Sequence, residues 1–393
     1  MVTRRSALLL LAALGLGRGS AQAATTSPAT TLTVTPTGDY FATVQAHLNT
    51  LARRADTGTR YTLQFAPGTY HLRNQWTVTG LQNVHLTSQD PAHPAVLTKG
   101  ATWGGEYIAR FYFGANIRVS DLSFVGNHVY TPADSVVHWA DQGLWFASCH
   151  DTRVDHCTFT DIGNAAIRHN TSLDDAPGVH SYDHVIEDCT FNNCWQVTTT
   201  QEGGTKHGGS RYWTFQRNTL NRMRGAVKFA SRTPGAHHGK ILDNTWTPTT
   251  TNAAVELCSV DEVEVRGNTF TGIRGFVVNG YTNTAQPVGF PWGTNITFAG
   301  NTVDGAGDVF RLSFDAYPNG ADPTGSNLVI DDNDISHVRT TDSDAIRVAN
   351  GRVVGLRFTD NRFSAMGSRI VHAFGSSTGV VIAGNSRDGA RYP

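Results

Sequence analysis

Short stretches in which apolar and polar residues alternate recur along this 393-residue chain, and ten of them share one six-residue phrase. The phrase begins with an apolar residue, and most copies also end with one. Its fourth residue is Leu or Cys in the first three copies and Asn in the others, at Leu122, Cys157, Cys189, Asn218, Asn244, Asn268, Asn301, Asn333, Asn361 and Asn385. Successive copies lie 24 to 35 residues apart, so a short segment of each repeat is constant while the connections vary in length.

A second short stretch follows each of the first nine phrases, and its second residue is always apolar. These apolar residues are Val137, Ile167, Val197, Val227, Val255, Val277, Phe310, Ile346 and Ile370. Because side chains alternate along a strand, we expect this position to face the core and the next position to face solvent. Stacked Asn side chains can bond the backbone and one another between coils. The repeat therefore predicts an all-β parallel solenoid of about 10–12 coils.

The first 23 residues have the pattern of an export signal. Arg4 and Arg5 precede the apolar run from Ala7 to Leu16, and a small-residue cleavage site follows at residues 21–23. The apolar run is too short to span a membrane. We expect a secreted or periplasmic protein, whose signal also resembles the twin-arginine type.

The rest of the chain predicts one solenoid domain over residues 32–393, preceded by a flexible leader at 24–31. Phe41, Val44, Leu48 and Leu51 follow helical spacing. They predict a short helix near residues 41–54, which would cover the open end of the first coil.

Composition narrows the choice of partners. The net charge is −1, which removes the electrostatic case for nucleic acid or an anionic membrane as a partner. Forty glycines suit many short strands and turns. The five cysteines are too few for a disulfide scaffold, and Cys157 and Cys189 could form either a disulfide or two stacked thiols. We expect a monomer.

Three motifs together resemble one known superfamily. A capping helix is followed by FAPGTYHL at 65–72, and the coils then carry VDHCTF at 154–159 and VRGNTF at 265–270. This arrangement resembles the pectate-lyase-like right-handed parallel β-helix superfamily over nearly the whole mature chain. Signatures of its polygalacturonases, pectin methylesterases and pectate lyases are absent. What remains is similar to the alginate and chondroitin lyases, which implies a secreted lyase acting on a uronic-acid polymer.

The outward position of the second strand carries charged side chains in the central coils. In chain order it reads His138, Arg168, Thr198, Lys228, Glu256, Val278, Arg311, Arg347 and Val371. Residues in neighbouring coils should lie about 5 Å apart. We therefore predict a linear groove that binds an acidic polysaccharide.

Cleavage by β-elimination needs a cation at the uronate carboxylate and a base for the C5 proton. We expect Arg168 or Arg232 to supply the cation and Lys228 to be the base. Glu256 would favour the protonated lysine and so opposes that role. Tyr182, Tyr212 and His138 are alternative bases or acids.

Long connections after the central strands predict the walls of the groove. Candidate substrate-binding residues there and on the strands are Glu202, Asn170, Tyr182, Tyr212, His207, Tyr281 and Trp292. We predict no cofactor and no metal, with calcium as the alternative.

Three other functions stay open. A glycoside hydrolase or transferase would need two carboxylates about 5 to 10 Å apart, and Glu202 and Glu256 look too widely separated. A uronate C5-epimerase would use the same cations and base without cleaving a bond. A non-catalytic carbohydrate-binding protein would tolerate the loss of Lys228.

Overall fold

Strands dominate the computed structural model and wind the chain into a parallel β-helix. The structure describes residues 30–54, 58–100, 103–128, 138, 140–172, 181–199, 207–208, 210–230, 237–248, 253–281, 293–314, 324–339, 344–367 and 372–392. The predicted export signal lies outside these residues. The first strand begins at Thr30, two residues inside the predicted leader.

One helix covers the first coil, as the apolar spacing predicts. It runs Tyr40–Ala52, and Asp39 begins it by accepting a hydrogen bond from the Ala42 backbone N–H at 3.1 Å. Val44, Leu48 and Leu51 are buried against the coil. Within the described residues, no helix has the length and apolar character needed to cross a membrane.

Each coil contributes up to three strands, which stack on their counterparts in neighbouring coils. Stack 1 is a sheet of 13 parallel strands. Its strands are Thr30–Val34, Tyr61–Phe65, Gln82–Ser88, Ala115–Ser120, His150–Asp155, Tyr182–Glu187, Arg211–Gln216, His237–Leu242, Asp261–Arg266, Thr294–Ala299, Thr324–Asp331, Arg352–Thr359 and Val381–Ala383.

Stacks 2 and 3 are joined in a second sheet, because two strands, Thr269–Tyr281 and Thr302–Ser313, pass through both. The other strands of stack 2 are Thr69–Leu72, Val96–Lys99, Ser123–Val125, Thr158–Thr160, Thr190–Asn192, Thr219–Asn221, Thr245–Trp246, Asp334–Val338, Arg362–Ser364 and Ser386–Arg387. The other strands of stack 3 are Trp76–Thr79, Tyr107–Tyr112, Gln142–Ala147, Ala165–Ser172, Gln196–Thr198, Val227–Ala230, Ala253–Cys258, Ile346–Ala349 and His372–Ala373. Two short antiparallel strands, His207–Gly208 and Ala390–Arg391, complete the sheet.

The predicted Asn residues form a continuous buried ladder at the corner between stacks 1 and 2. Each side-chain amide donates to the side-chain oxygen of the next Asn, from Asn218 to Asn385, at 2.8–3.0 Å. Asn268 also donates to the Ile241 carbonyl at 2.8 Å, and its oxygen accepts the Asn244 backbone N–H at 2.9 Å. The ladder therefore satisfies backbone groups that the turn would otherwise leave unpaired. All five cysteines are buried free thiols, so Cys157 and Cys189 take ladder positions without a disulfide.

A second polar network is buried inside the coil between stacks 3 and 1. The Trp213 indole N–H can only donate, so the His169 Nδ1 atom 3.4 Å away accepts. The proton of neutral His169 is then on Nε2, which lies 3.0 Å from the Thr152 hydroxyl. Thr152 in turn donates to His184 Nδ1 at 2.6 Å, and His184 Nε2 lies 2.7 Å from the Ser181 hydroxyl. The bonds thus form one directed chain in which both imidazoles are neutral.

Removing an inner rung of the Asn ladder should destabilise the protein. Asn268→Ala leaves the Ile241 carbonyl and the Asn244 backbone N–H without their partners. We expect a loss of about 2–3 kcal/mol in the free energy of unfolding, measured by urea denaturation. Asn127→Ala, at an exposed position, is the control and should change the same free energy by less than about 0.5 kcal/mol. Equal effects of the two substitutions would contradict a structural role for the ladder.

The buried histidines should make folding stability depend on pH. Burial lowers the pKa of His169 from 6.5 to about 3 and the pKa of His184 well below 6.5. The unfolded chain therefore binds protons that the folded chain does not. The contribution of the neutral histidines to the free energy of unfolding is complete above pH 6.5 and is lost as the pH falls from 6.5 to 3. Each histidine adds a slope of about 1.4 kcal/mol per pH unit.

His169→Phe tests this dependence, since Phe146 and Phe229 occupy the same inward position in other coils. The variant should lose stability at neutral pH because Thr152 and Trp213 lose a partner. Its stability should nevertheless decline less steeply on acidification, by about one proton. The assignment is refuted if the free energy of unfolding falls equally steeply for the variant and the native chain between pH 7 and pH 4.

Candidate functional site

The outward side chains of stack 3 form one line along the molecule, which we call the outer column. Backbone pairing places in register Arg110, Trp145, Arg168, Thr198, Lys228, Glu256, Asn279, Arg311 and Arg347. Neighbours in the column are about 4.8 Å apart. Arg168 and Lys228 therefore share one face, two coils apart, as the sequence pattern predicts.

The predicted place of His138 in this line is wrong, while its role as an acid or base stays a prediction. The strand of its coil is Gln142–Ala147, so Trp145 pairs with Arg168 in the position expected for His138. His138 precedes that strand, and its backbone N–H donates to the Gly163 carbonyl at 3.0 Å.

The prediction that Val278 faces outward is also wrong. The strand register shifts between Ile273 and Phe276, which moves every later residue of that strand by one place. Val278 is consequently buried in the core, and Asn279 takes the outward position. Val371 lies outside the described residues.

Four side chains meet at the centre of the outer column. Lys228 Nζ lies 3.1 Å from Glu256 Oε2, and these two side chains are 11% and 25% exposed. Tyr281 is in register with Cys258, and its hydroxyl lies within electrostatic range of Lys228. The cluster thus combines an ammonium, a carboxylate and a phenol that remain partly accessible.

Burial governs the acidity of this cluster. It raises the pKa of Tyr281, while the positive charge of Lys228 acts in the opposite direction. Burial also raises the pKa of the Cys258 thiol to about 11. Tyr281 is therefore a phenol rather than a phenolate at neutral pH, and Cys258 is not a thiolate nucleophile.

Arg168 is fully buried, which differs from the solvent-facing side chain that the sequence pattern predicts. Its Nη2 atom donates to Gln142 Oε1 at 3.0 Å, and its charge opposes the burial-induced rise in the pKa of Tyr107. The neighbouring coil places the large Trp145 ring in register with Arg168. Arg168 therefore supplies charge beneath the surface and does not reach solvent.

Two arginines flank the centre, each beside aromatic rings. The Arg110 guanidinium lies 5.3, 5.1 and 4.5 Å from the ring centroids of Tyr107, Tyr112 and Trp145. The Arg311 guanidinium lies 5.8 Å from the Phe276 centroid and donates to Ser313 Oγ at 3.3 Å.

Carboxylates compensate only part of the positive charge on this face. Among the described residues, neither Arg110 nor Arg311 has a carboxylate within ion-pair distance. Arg347 lies 3.7 Å from Asp308, which is a loose pair. The two flanking arginines are therefore available to an anionic ligand.

Tyr182 and Tyr212 do not lie in the groove that we predict for them. Tyr182 is the first residue of its stack 1 strand and pairs in register with His150 and Arg211. Tyr212 is the second residue of the next strand of that stack. The chain turns a corner after each long connection, so residues that follow the connection face a different side. Neither tyrosine can contact the Lys228 centre.

Asn170 is on stack 3 but is buried, and its side-chain oxygen accepts a hydrogen bond from the Trp145 indole. Residues 207–208 pair with the end of the strand that carries Asn170. The side chain of His207 is not among the described parts of the structure, so its role stays a prediction. Arg232, Glu202 and Trp292 lie outside the described residues, so their roles stay predictions.

The sequence pattern does not predict one buried ion pair. Lys99 Nζ lies 2.6 Å from Asp141 Oδ1, and Asp141 Oδ2 accepts the Gly163 backbone N–H at 2.7 Å. Burial lowers the pKa of Lys99, and Asp141 counteracts the shift. The partners are 42 residues apart in the chain, and no local pattern connects them.

The described part of the chain contains no group of three His, Cys, Asp or Glu side chains that could hold a metal ion. The calcium alternative therefore stays a prediction that the described residues do not support.

The architecture agrees with known proteins. The family model for a right-handed beta helix region matches residues 122–289. The whole structure aligns with the surface adhesin PfbA of Streptococcus pneumoniae, with a TM-score of 0.68 and 14% identity over 93% of each chain. This chain has the right-handed parallel β-helix fold.

Enzymes share this β-helix. The exopolygalacturonase of Thermotoga maritima aligns with a TM-score of 0.59 and 11% identity over 92% of this chain and 93% of its own. The alginate lyase of Paenibacillus sp. str. FPU-7 aligns with a TM-score of 0.50 and 16% identity over 88% of this chain and 98% of its own. No curated protein sequence matches the chain. At such low identities the likeness establishes the fold and leaves the activity open.

Proposed function

We propose that this β-helix binds an acidic polysaccharide along the outer column and cleaves it by β-elimination. One observation carries the proposal: five cations share a single line of a chain whose net charge is −1, and all but the buried Arg168 are partly accessible on one face. They are Arg110, Arg168, Lys228, Arg311 and Arg347. A polymer with repeated carboxylates matches such a line better than a small ligand does, because the line spans about 38 Å.

The central cluster has the groups that β-elimination needs. The reaction removes the proton on C5 of a uronate, forms a C4–C5 double bond and breaks the bond from C4 to the bridging oxygen. A cation must first offset the charge of the uronate carboxylate, since otherwise the carbanion is too unstable. A base then takes the C5 proton, and an acid protonates the departing oxygen.

The geometry favours a different assignment from the one that the sequence suggests. Glu256 lies 3.1 Å from Lys228 and favours its ammonium form, so Lys228 is the cation that offsets the uronate carboxylate. Glu256 is then the base for C5, and the Tyr281 phenol is the acid for the leaving oxygen. Tyr281 regains a proton that passes from Glu256 through Lys228, which restores the starting state.

Lys228→Ala and Tyr281→Phe should each lower kcat/KM by about 10²–10⁴-fold, because each removes one charge or proton-transfer group from the reaction. The assay follows the ultraviolet absorbance of unsaturated uronate with alginate, pectate, glucuronan, hyaluronan and xanthan. Arg357→Ala is the control, since Arg357 lies on stack 1 with its side chain 56% exposed; its activity should be that of the native chain.

Reducing ends that appear without this absorbance would show hydrolysis and would refute β-elimination. Binding of an acidic polymer without either signal would identify a non-catalytic binding protein.

Arg110→Ala and Arg311→Ala should raise KM severalfold for a long polymer and leave kcat nearly unchanged. They lie about 19 Å and about 14 Å from Lys228 along the column, so they contact sugars away from the cleaved bond. The increase in KM should shrink at high salt, because salt screens exposed charges. Oligomers too short to reach these arginines should show native kinetics, and a loss of kcat on such oligomers would contradict the assignment.

A further inference from the structure

Stack 1 carries its own line of unusual residues near the starts of its strands. In ten successive coils, the residue that the strand register skips near the start of the stack 1 strand has a left-handed backbone, with φ between 51° and 75°. The residues are Asn83, Asn116, Asp151, Asp183, Tyr212, His238, Glu262, Asn295, Asn327 and Gly355. Asn, Asp and Gly adopt this conformation at low steric cost, whereas a bulky side chain does not.

Tyr212 and Glu262 depart from that preference, and His238 lies between them. Seven coils of the line carry Asn, Asp or Gly, so the conformation itself does not call for a tyrosine or a glutamate. Strained backbone of this kind persists where the side chain has a use that offsets the cost. Tyr212, His238 and Glu262 therefore occupy three consecutive coils at a steric cost. Their side chains lie on the surface.

The three side chains contact one another across the coils. The ring centroids of Tyr212 and His238 are 4.5 Å apart, and His238 Nε2 lies 2.5 Å from Glu262 Oε2. Tyr212 is 48% exposed, which is unusual for so large a ring. The result is an accessible aromatic surface whose orientation is fixed by an imidazole and a carboxylate behind it.

A surface trough surrounds these residues. A cavity of about 550 Å³ is lined in part by Asp151, Asp183 and Tyr212, and a second cavity of about 380 Å³ is lined in part by Glu262. His238 and Lys240 line both cavities, so the two are adjacent, and we call them together the trough. From the coil of Asp151 to that of Glu262 it extends about 19 Å, the length of several linked sugar rings.

The charge of this trough is opposite in sign to that of the outer column. Asp151, Asp183, Glu262 and Glu264 contribute four carboxylates, whereas Arg153 and Lys240 contribute two cations. Arg153 already pairs with Glu187. Burial raises the pKa of Asp183, and the neighbouring Asp151 carboxylate raises it further. An acidic polymer is repelled here.

We propose that the trough on stack 1 binds an uncharged polysaccharide, with the Tyr212 ring stacked on a sugar face and the carboxylates and Lys240 bonding sugar hydroxyls. This is a second carbohydrate site on a different face from the outer column, and it does not depend on the reaction proposed there. It gives Tyr212 a role in carbohydrate binding away from the cationic groove.

Affinity electrophoresis through gels that contain mixed-linkage glucan, galactan or mannan tests the site with the full chain. At least one of these neutral polymers should retard the native protein. Tyr212→Asn should weaken the retardation by about tenfold or more and raise the melting temperature, because Asn suits the left-handed backbone. Tyr212→Phe keeps the ring and should retain most of the binding.

Asn327→Gly is the matched control, since it changes the same line outside the trough and keeps a residue that suits its backbone. It should bind as the native chain does. The proposal is overturned if no neutral polymer retards the protein or if Tyr212→Asn binds as tightly as the native chain. It is also overturned if the substitution abolishes retardation by alginate, since the trough would then bind an acidic chain.

Discussion

Register between coils is the constraint on which the rest of the structure depends. Parallel backbone bonds hold each strand one step above its counterpart, and from Asn218 to Asn385 the Asn ladder fixes the corner between stacks 1 and 2 at the same height in successive coils. A residue type repeated at one place in the sequence therefore becomes a line in space. Both the cationic line on stack 3 and the left-handed line on stack 1 arise because equivalent positions of successive coils stack on one another.

The fold could be predicted from the sequence because its determinants are local and repeated. An apolar first residue is visible in ten phrases and a corner Asn in seven of them, and Asn218 to Asn385 behave as that pattern predicts. The capping helix followed from four apolar residues at helical spacing. Each of these signals lies within a few residues, so no long-range information is needed to read it.

The site could be predicted only where the register was regular. Lys228 and Glu256 lie as the pattern predicts, whereas Val278 does not, because one bulge displaces the strand by a residue. Arg168 is buried and bonded to Gln142, 26 residues before it in the chain, and the position of Tyr212 depends on a corner of the chain. Such facts are set by neighbours distant in sequence, which a local pattern does not contain.

The constant corner and the variable connections have a consequence for how such a molecule changes its size. Since each coil bonds only to the coil before and the coil after it, a complete coil could be inserted or deleted between two Asn rungs without reshaping either. The length of both surface lines would then change in increments of about 4.8 Å. Ligand length would become a property adjusted by duplication of whole repeats, and the depth of the groove would be adjusted separately by the connections.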